Sequence, residues 1–274
     1  MKFYRPLLAL AAAALVAGFN ASAADNELTD QEKSDGYVLL FNGKDLTGWE
    51  GESDFWSVQD GMIIGKTTAE KKVPFNKFVI WRGGTVKNFE LRVVLKQAGN
   101  NSGIQYRSRE MKQVGPFSVG GYQCDIHPSP AYNGMLYEER GRGIVCQNGQ
   151  KVIVDDKGGK WIVSSTAPVE CKNDEWHEFT LIAQGNHLIH KIDGKTAMEL
   201  YDHDTAKRAL EGILAIQLHG GPPMTVQVKN IRLKTLPEGG MVSLADMPVP
   251  PDAKKVEPPK PRAKKGAGKK VSAK

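Results

Sequence analysis

The chain is 274 residues long, 40% hydrophobic and 25% charged, with a formal net charge of +6. That hydrophobic share can build one core, which excludes a chain disordered throughout, and three cysteines are too few for a disulfide-built scaffold. The positive excess does not identify a nucleic-acid binder: residues 252–274 hold nine Lys or Arg against two acids, a net of +7, so everything before them sums to about −1.

At the N-terminus, Lys2 and Arg5 precede the apolar run LLALAAAALVAGF, and Ala21-Ser22-Ala23 supplies a small-x-small cleavage pattern. Residues 1–24 therefore read as a secretory signal peptide. The run is short for a membrane span, no second candidate span follows, and no cysteine near the cut offers a lipid anchor. The expected mature protein is exported, either periplasmic or secreted.

From residue 36 to 236 the apolar runs are short, β-branched or aromatic, and bounded by Gly, Asn, Asp or Pro, the punctuation of strands and turns. YVLLF (37–41) comes first; FWSV and MIIGK flank Gln59-Asp60-Gly61, a predicted hairpin. FVIWR, FELRVVLK, GIQYRS, GGYQCDI, GMLYE, GIVCQ and KVIVD follow, then HEFTLIAQ and HLIHKID joined at Gly185-Asn186. GILAIQL and MTVQVKNIRLKTL close the domain, and TAKRALE (205–211) is the one helical candidate. A dozen or more strands without βαβ alternation predict an all-β sandwich of two antiparallel sheets. The segment 240–274, rich in Pro, Lys and Ala, reads as a disordered basic tail. A solvated extension is the favoured reading, and electrostatic attraction of anionic envelope polymers or nucleic acid is the alternative. Cys124 alternates with Tyr122 and Ile126 as a buried thiol would, and Cys146 with Cys171 is a candidate disulfide.

The strand period sorts side chains onto faces. In GILAIQLHGG, Leu214, Ile216 and Leu218 form an apolar row, with Gln217 and His219 on the other side. In NSGIQYRSR, Ile104 and Tyr106 oppose Asn101, Gln105, Arg107 and Arg109. In GYQCDIHP, Tyr122, Cys124 and Ile126 oppose Gln123, Asp125 and His127. ELRVVLK adds Glu90 and Arg92 opposite Leu91, Val93 and Leu95. Amides, imidazoles and a guanidinium fork suit hydroxyl recognition, and Tyr132, Tyr137, Trp81 or Trp161 can supply a sugar platform. The same groups can perform acid–base chemistry. If a divalent metal is bound, Asp125, His127 and His219 are its candidate ligands. Glu138 and Glu139 are either an acid pair or charged turn residues beside Arg140 and Arg142, the second being favoured. No nucleophile elbow, P-loop or zinc-protease helix is present.

Taken together, LFNGKDLTGWEG, DFWSVQDGMIIG, NSGIQYRSR, GGYQCDI, MLYEERGRG, EWHEFTLIAQGNHLIHKIDGK and GILAIQLHGGPPMTVQVKNIRLKTL resemble the bacterial 3-keto-disaccharide hydrolase family, also described as 3-keto-glucoside lyase/hydratase. The resemblance covers the whole expected domain. It implies a concanavalin A-like jelly roll and chemistry on sugars oxidised to a ketone at C3: loss of the C2 proton, departure of the C1 substituent, then hydration. On that basis His219 or Asp125 is the base, Arg107 stabilises the enolate with help from Asn101 or a bound cation, and Gln123 and Gln217 hold hydroxyls. Gln105, His127 and Tyr137 complete the expected substrate contacts. Where family members commonly carry Glu after the tyrosine of the GGY segment, this chain has Gln123. The alternative function is a non-catalytic carbohydrate-binding module, which the same sandwich would serve.

Overall fold

The structure, a computed structural model, describes residues 24–257. The expected signal peptide, but for its last residue, and the end of the basic tail lie outside the described residues. In chain order the elements are α1 (Asp30–Ser34), β1 (Tyr37–Leu39), β2 (Trp49–Glu50), β3 (Trp56–Gln59), β4 (Met62–Lys66), β5 (Lys77–Trp81), β6 (Phe89–Gly99), β7 (Ser102–Glu110) and β8 (Val119–Ile126). There follow β9 (Leu136–Glu139), β10 (Gly143–Cys146), β11 (Gln150–Val154), β12 (Lys160–Ser165), β13 (His177–Gln184), β14 (His187–Ile192), β15 (Lys195–Asp202), β16 (Ile213–Leu218), β17 (Met224–Thr235) and β18 (Lys254–Lys255).

They form two sheets. The larger has eleven strands, ordered β18-β12-β11-β15-β14-β13-β6-β17-β4-β3 with β1 on β17; the smaller has seven, ordered β10-β9-β8-β7-β16-β5-β2. The sheets pack face to face as the expected jelly-roll sandwich. Pairing is antiparallel throughout except β11 with β15, which run parallel. The alternating apolar rows meet between the sheets: Leu91, Val93 and Leu95 from one side, and Ile104, Cys124, Ile126, Leu214, Ile216 and Leu218 from the other, all essentially without solvent contact. Tyr106 and Tyr122, opposite each other on β7 and β8, join this core with ring centroids 5.7 Å apart.

The turn chemistry holds where it was read. Asp60 and Gly61 take φ of 51° and 72°, the doubly left-handed turn that lets β3 fold back on β4 without splaying the strands. Three expectations are corrected. Residues 205–211 are not helical: the Asp204 carboxylate and carbonyl collect the amides of Ala206, Lys207 and Arg208, and the Ala209 amide donates to the Tyr122 hydroxyl, so one turn forms and goes no further. Helix α1 forms instead, on a capping box between Thr29 and Glu32. Cys146 and Cys171 are not bonded to each other. All three thiols are free, Cys146 lying against the carbonyls of Gln150 and Glu199 and Cys171 accepting from Asn133. Finally, residues 240–257 lie on the sandwich rather than trailing from it: Val242 and Asn186 exchange hydrogen bonds, β18 pairs with β12, and the Val256 amide donates to the Lys160 carbonyl at 2.8 Å.

Candidate functional site

On the outer face of the smaller sheet a cavity of about 290 Å³ opens beside the ends of β7, β8, β9 and β16. Asn101, Gln123, Asp125, His127, Tyr137 and His219 line it, together with Asn76, Tyr132 and Glu139. Six predicted site residues thus meet in one cavity, as their shared strand face requires. Gln105 and Gln217 lie beneath the floor, fully buried.

Their burial gives the three glutamines a defined job. The register sets Gln105 opposite Gln123, and Oε1 of Gln123 accepts from Nε2 of Gln105 at 2.8 Å and from Nε2 of Gln217 at 2.9 Å. With its oxygen so engaged, Gln123 must turn its amide NH₂ toward the site, where Nε2 donates to Oδ1 of Asp125 at 2.6 Å. Gln105 and Gln217 are therefore positioning residues and do not touch a ligand directly, a correction to their expected role. Gln123 lies flat across β7 because residue 103 is glycine; a Cβ there would sit 2.3 Å from Cδ of Gln123. Gly103→Ala should displace the amide. Because the hydrogen bond from Gln123 lowers the Asp125 pKa, that substitution should raise it further, a shift readable from the carboxyl carbon by NMR.

Asp125 is 3% exposed, and burial pushes its pKa up to about 7 against the hydrogen bonds from Gln123 and Asn101, with the charge of Glu139 adding to the rise. Glu139 is itself raised by burial. It accepts from both contacts of the Asn76 amide at 3.3 Å, while Asn76 Oδ1 accepts the Gly220 amide at 2.9 Å, tying the carboxylate to the turn that carries His219. His219 is held neutral by burial, its pKa below the ordinary imidazole value. Its Nδ1 lies 2.6 Å from the Gly220 carbonyl oxygen and 3.0 Å from Nδ2 of Asn100; the shorter contact requires a proton on Nδ1, the tautomer that leaves Nε2 as an acceptor. His127 has the opposite tautomer: Nδ1 accepts from the Ser129 amide at 2.9 Å, so Nε2 carries the proton. Its ring stands edge-on to Tyr132, centroids 5.2 Å apart.

Arg107 does not belong to this group. β7 bulges between Tyr106 and Arg109, Arg107 takes φ +46°, and the alternation that would have aimed it at the cavity is broken. Its guanidinium, 2% exposed, donates to the carbonyls of Lys87, Gly185 and Ala209 and to Oδ1 of Asn88. It ties together three loops on the side away from the cavity. Arg109 is exposed, and Glu90 and Arg92 pair with each other on the larger sheet. Trp161 is bound to Asp155 on the larger sheet, and Trp81 borders a separate depression, so of the expected platforms only Tyr132 and Tyr137 reach the cavity.

Glu139 lines the cavity and is not the charged turn residue expected. The period-two signal was present, since Tyr137 and Glu139 share a face of β9, but two acids beside two arginines obscured it. The structure separates them: Glu138 joins Arg142 and Asp202 in a buried ion network while Glu139 faces the cavity. Asn76, on the loop before β5, had no periodic signal.

Asp125, His127 and His219 line the cavity without forming a ligand set. Among the described residues no three His, Cys, Asp or Glu side chains are grouped so as to hold a metal ion. The Asp125 oxygen nearest Gln123 is taken by an amide N–H, and each imidazole has one nitrogen committed to the backbone. Among the described residues no helix is long and apolar enough to cross a membrane.

A provisionally assigned glycosyl hydrolase from Parabacteroides distasonis ATCC 8503 superposes with a TM-score of 0.53 at 22% identity, over 78% of this chain and 100% of that one. A second from the same organism gives 0.49 at 19% identity, over 73% and 99%. A carbohydrate-binding module from Bacillus subtilis gives 0.44 at 11%, over 69% and 96%. At these identities the likeness concerns the fold. No curated protein sequence matches the chain. A family model described as a 3-keto-alpha-glucoside-1,2-lyase-like domain matches residues 36–234, a span containing every residue of the cavity and every strand but β18 and the last residue of β17. The chain belongs to the 3-keto-alpha-glucoside-1,2-lyase-like domain family.

Proposed function

We propose that the cavity cleaves glycosides whose sugar carries a ketone at C3, by 1,2-elimination followed by hydration. Family membership supports a carbohydrate-active protein. The observation that carries the finer reading is the pairing, in one small cavity, of a carboxyl with pKa about 7 and a neutral imidazole with a free acceptor nitrogen. Between the two pKa values the carboxyl is protonated and the imidazole is not, so acid and base coexist in their reactive forms.

The C3 carbonyl acidifies the C2 proton, and Nε2 of His219 removes it. Negative charge collects on the C3 oxygen, where Nε2–H of His127 and the Tyr137 hydroxyl are the available donors. That role replaces the one expected of Arg107. The C1–O bond breaks as Asp125 gives its proton to the leaving oxygen, releasing the alcohol and leaving an enone. Water then adds at C1, losing a proton to the Asp125 carboxylate, and the His219 imidazolium returns a proton to C2. One water is consumed and both groups end as they began. Gln123 keeps Asp125 aimed through its 2.6 Å hydrogen bond. No oxocarbenium ion forms, so the paired carboxylates of ordinary glycosidases are not needed.

Incubating the purified protein in D₂O with a 3-keto-glucoside and with the unoxidised glucoside tests this. Alcohol release from the keto form alone is expected, with transient enone absorbance and deuterium at C2 of the freed sugar. Comparable release from the unoxidised glucoside would overturn the elimination. Tight binding without turnover would identify a carbohydrate-binding module.

A further inference from the structure

We propose that a second cleft, which shares Ile144 with the cavity, seats the leaving group, and that it favours an apolar aglycone of aromatic-ring size over a methyl group. This rests on the elimination reading above and extends it to the substrate class. The cleft, of about 420 Å³, lies between β10, an edge strand of the smaller sheet, and the β12–β18 edge of the larger. Ile144 lines both it and the cavity. It is 39% exposed, one of the few large apolar side chains left in solvent, and stands opposite Tyr137 on the neighbouring strand. A sugar ring bound against Tyr137 would direct its C1 substituent over this isoleucine.

The cleft walls are methyl-rich: Ile144 and Val145 from β10, Ile162 from β12 and Val256 from the segment following β18. Several of its polar groups already have partners. Arg142 is locked between Glu138 and Asp202. Nζ of Lys160 donates to the Ile144 carbonyl at 2.6 Å. Gln147 and Gln150 bond each other, the backbone N–H of Gln147 donating to Oε1 of Gln150 at 3.1 Å and Nε2 of Gln150 to Oε1 of Gln147 at 3.4 Å. An aromatic ring needs none of these groups and would displace water from the four aliphatic side chains. What remains to drive binding is apolar surface. One wall is supplied by the C-terminal segment, so residues 254–257 have a part in substrate choice.

The test compares kcat/KM for phenyl and methyl 3-keto-glucosides in the wild-type full chain, Val256→Asp and Ile162→Gln, with circular dichroism confirming the fold of each. The phenyl-to-methyl ratio, taken between variant and wild type, cancels the intrinsic difference between leaving groups. Each variant is expected to lower that ratio about tenfold, the cost of desolvating a polar group against a ring, while methyl turnover stays within about twofold. An unchanged ratio in the folded variants overturns the aglycone cleft while leaving the elimination standing. If neither glycoside is turned over, the elimination fails, and calorimetric titration with unoxidised phenyl glucoside decides the cleft separately. Weaker binding to Val256→Asp than to wild type supports it, and equal binding overturns it.

Discussion

Asp125→Asn is expected to lower kcat on a 3-keto-glucoside by about 10³-fold with little change in KM, the effect of deleting a positioned general acid. The pH profile separates this role from a structural one. Wild-type activity should rise on the acid side as His219 loses its proton, below the ordinary imidazole value, and fall through about pH 7 as Asp125 ionises. The falling limb should disappear in the variant. Stability should move the other way. A carboxyl whose folded pKa lies near 7, above its ordinary value of 3.8, binds its proton more tightly folded than unfolded, so the wild type loses stability as pH rises between those values. The asparagine has no charge to bury and can still accept from Gln123. The variant should therefore melt at or above the wild-type temperature at pH 8. A variant that loses activity and stability together, or keeps its alkaline limb, would remove Asp125 from the acid role.

Arg107→Met should do the reverse, costing about 3–5 kcal/mol of stability while leaving turnover per folded molecule nearly intact. Among the described residues the guanidinium has no carboxylate partner; it is held by three carbonyls and the Asn88 side chain, and burial lowers its pKa. Removing it strands those oxygens without donors in a place water does not reach, and a methionine restores volume but no hydrogen bond. Asn88 would lose a partner too, although its Oδ1 still accepts the Gly185 amide at 2.9 Å. Chemical denaturation with a steady-state assay on the remaining folded fraction measures both quantities. A large fall in kcat with an unchanged unfolding midpoint would return Arg107 to the chemistry.

Much of the site was legible because side-chain direction in a regular strand has a period of two. Gln123 and Asp125 had to share a face of β8, and Gln217 had to leave the apolar row of Leu214, Ile216 and Leu218, whatever the rest of the chain did. The hairpin at Asp60-Gly61 was legible for a similar local reason, since few residues tolerate its backbone. The period fails where a strand is irregular. One bulge at Arg107 reversed its direction, and nothing in NSGIQYRSR marks that bulge, because it depends on Gly212, the residue before β16: a Cβ there would lie 2.4 Å from the Arg107 backbone.

Burial and neighbours were beyond the sequence altogether. Gln105, Gln123 and Gln217 look alike as polar residues on outward faces, yet only Gln123 reaches the cavity, because the strand order sets β7, β8 and β16 side by side and the other two amides close over it. The pairing of β18 with β12, which turns part of a lysine-rich tail into a wall, likewise depends on an edge strand that exists only after the sheets have formed. The linear chain determined its strands, their faces, its turns and its family, since each follows from local backbone preference or from residue order. Which polar groups share a cavity, which are sealed beneath it, and how far burial moves the Asp125 proton were decided by packing, because desolvation and hydrogen-bond partnership are properties of neighbours distant in the chain.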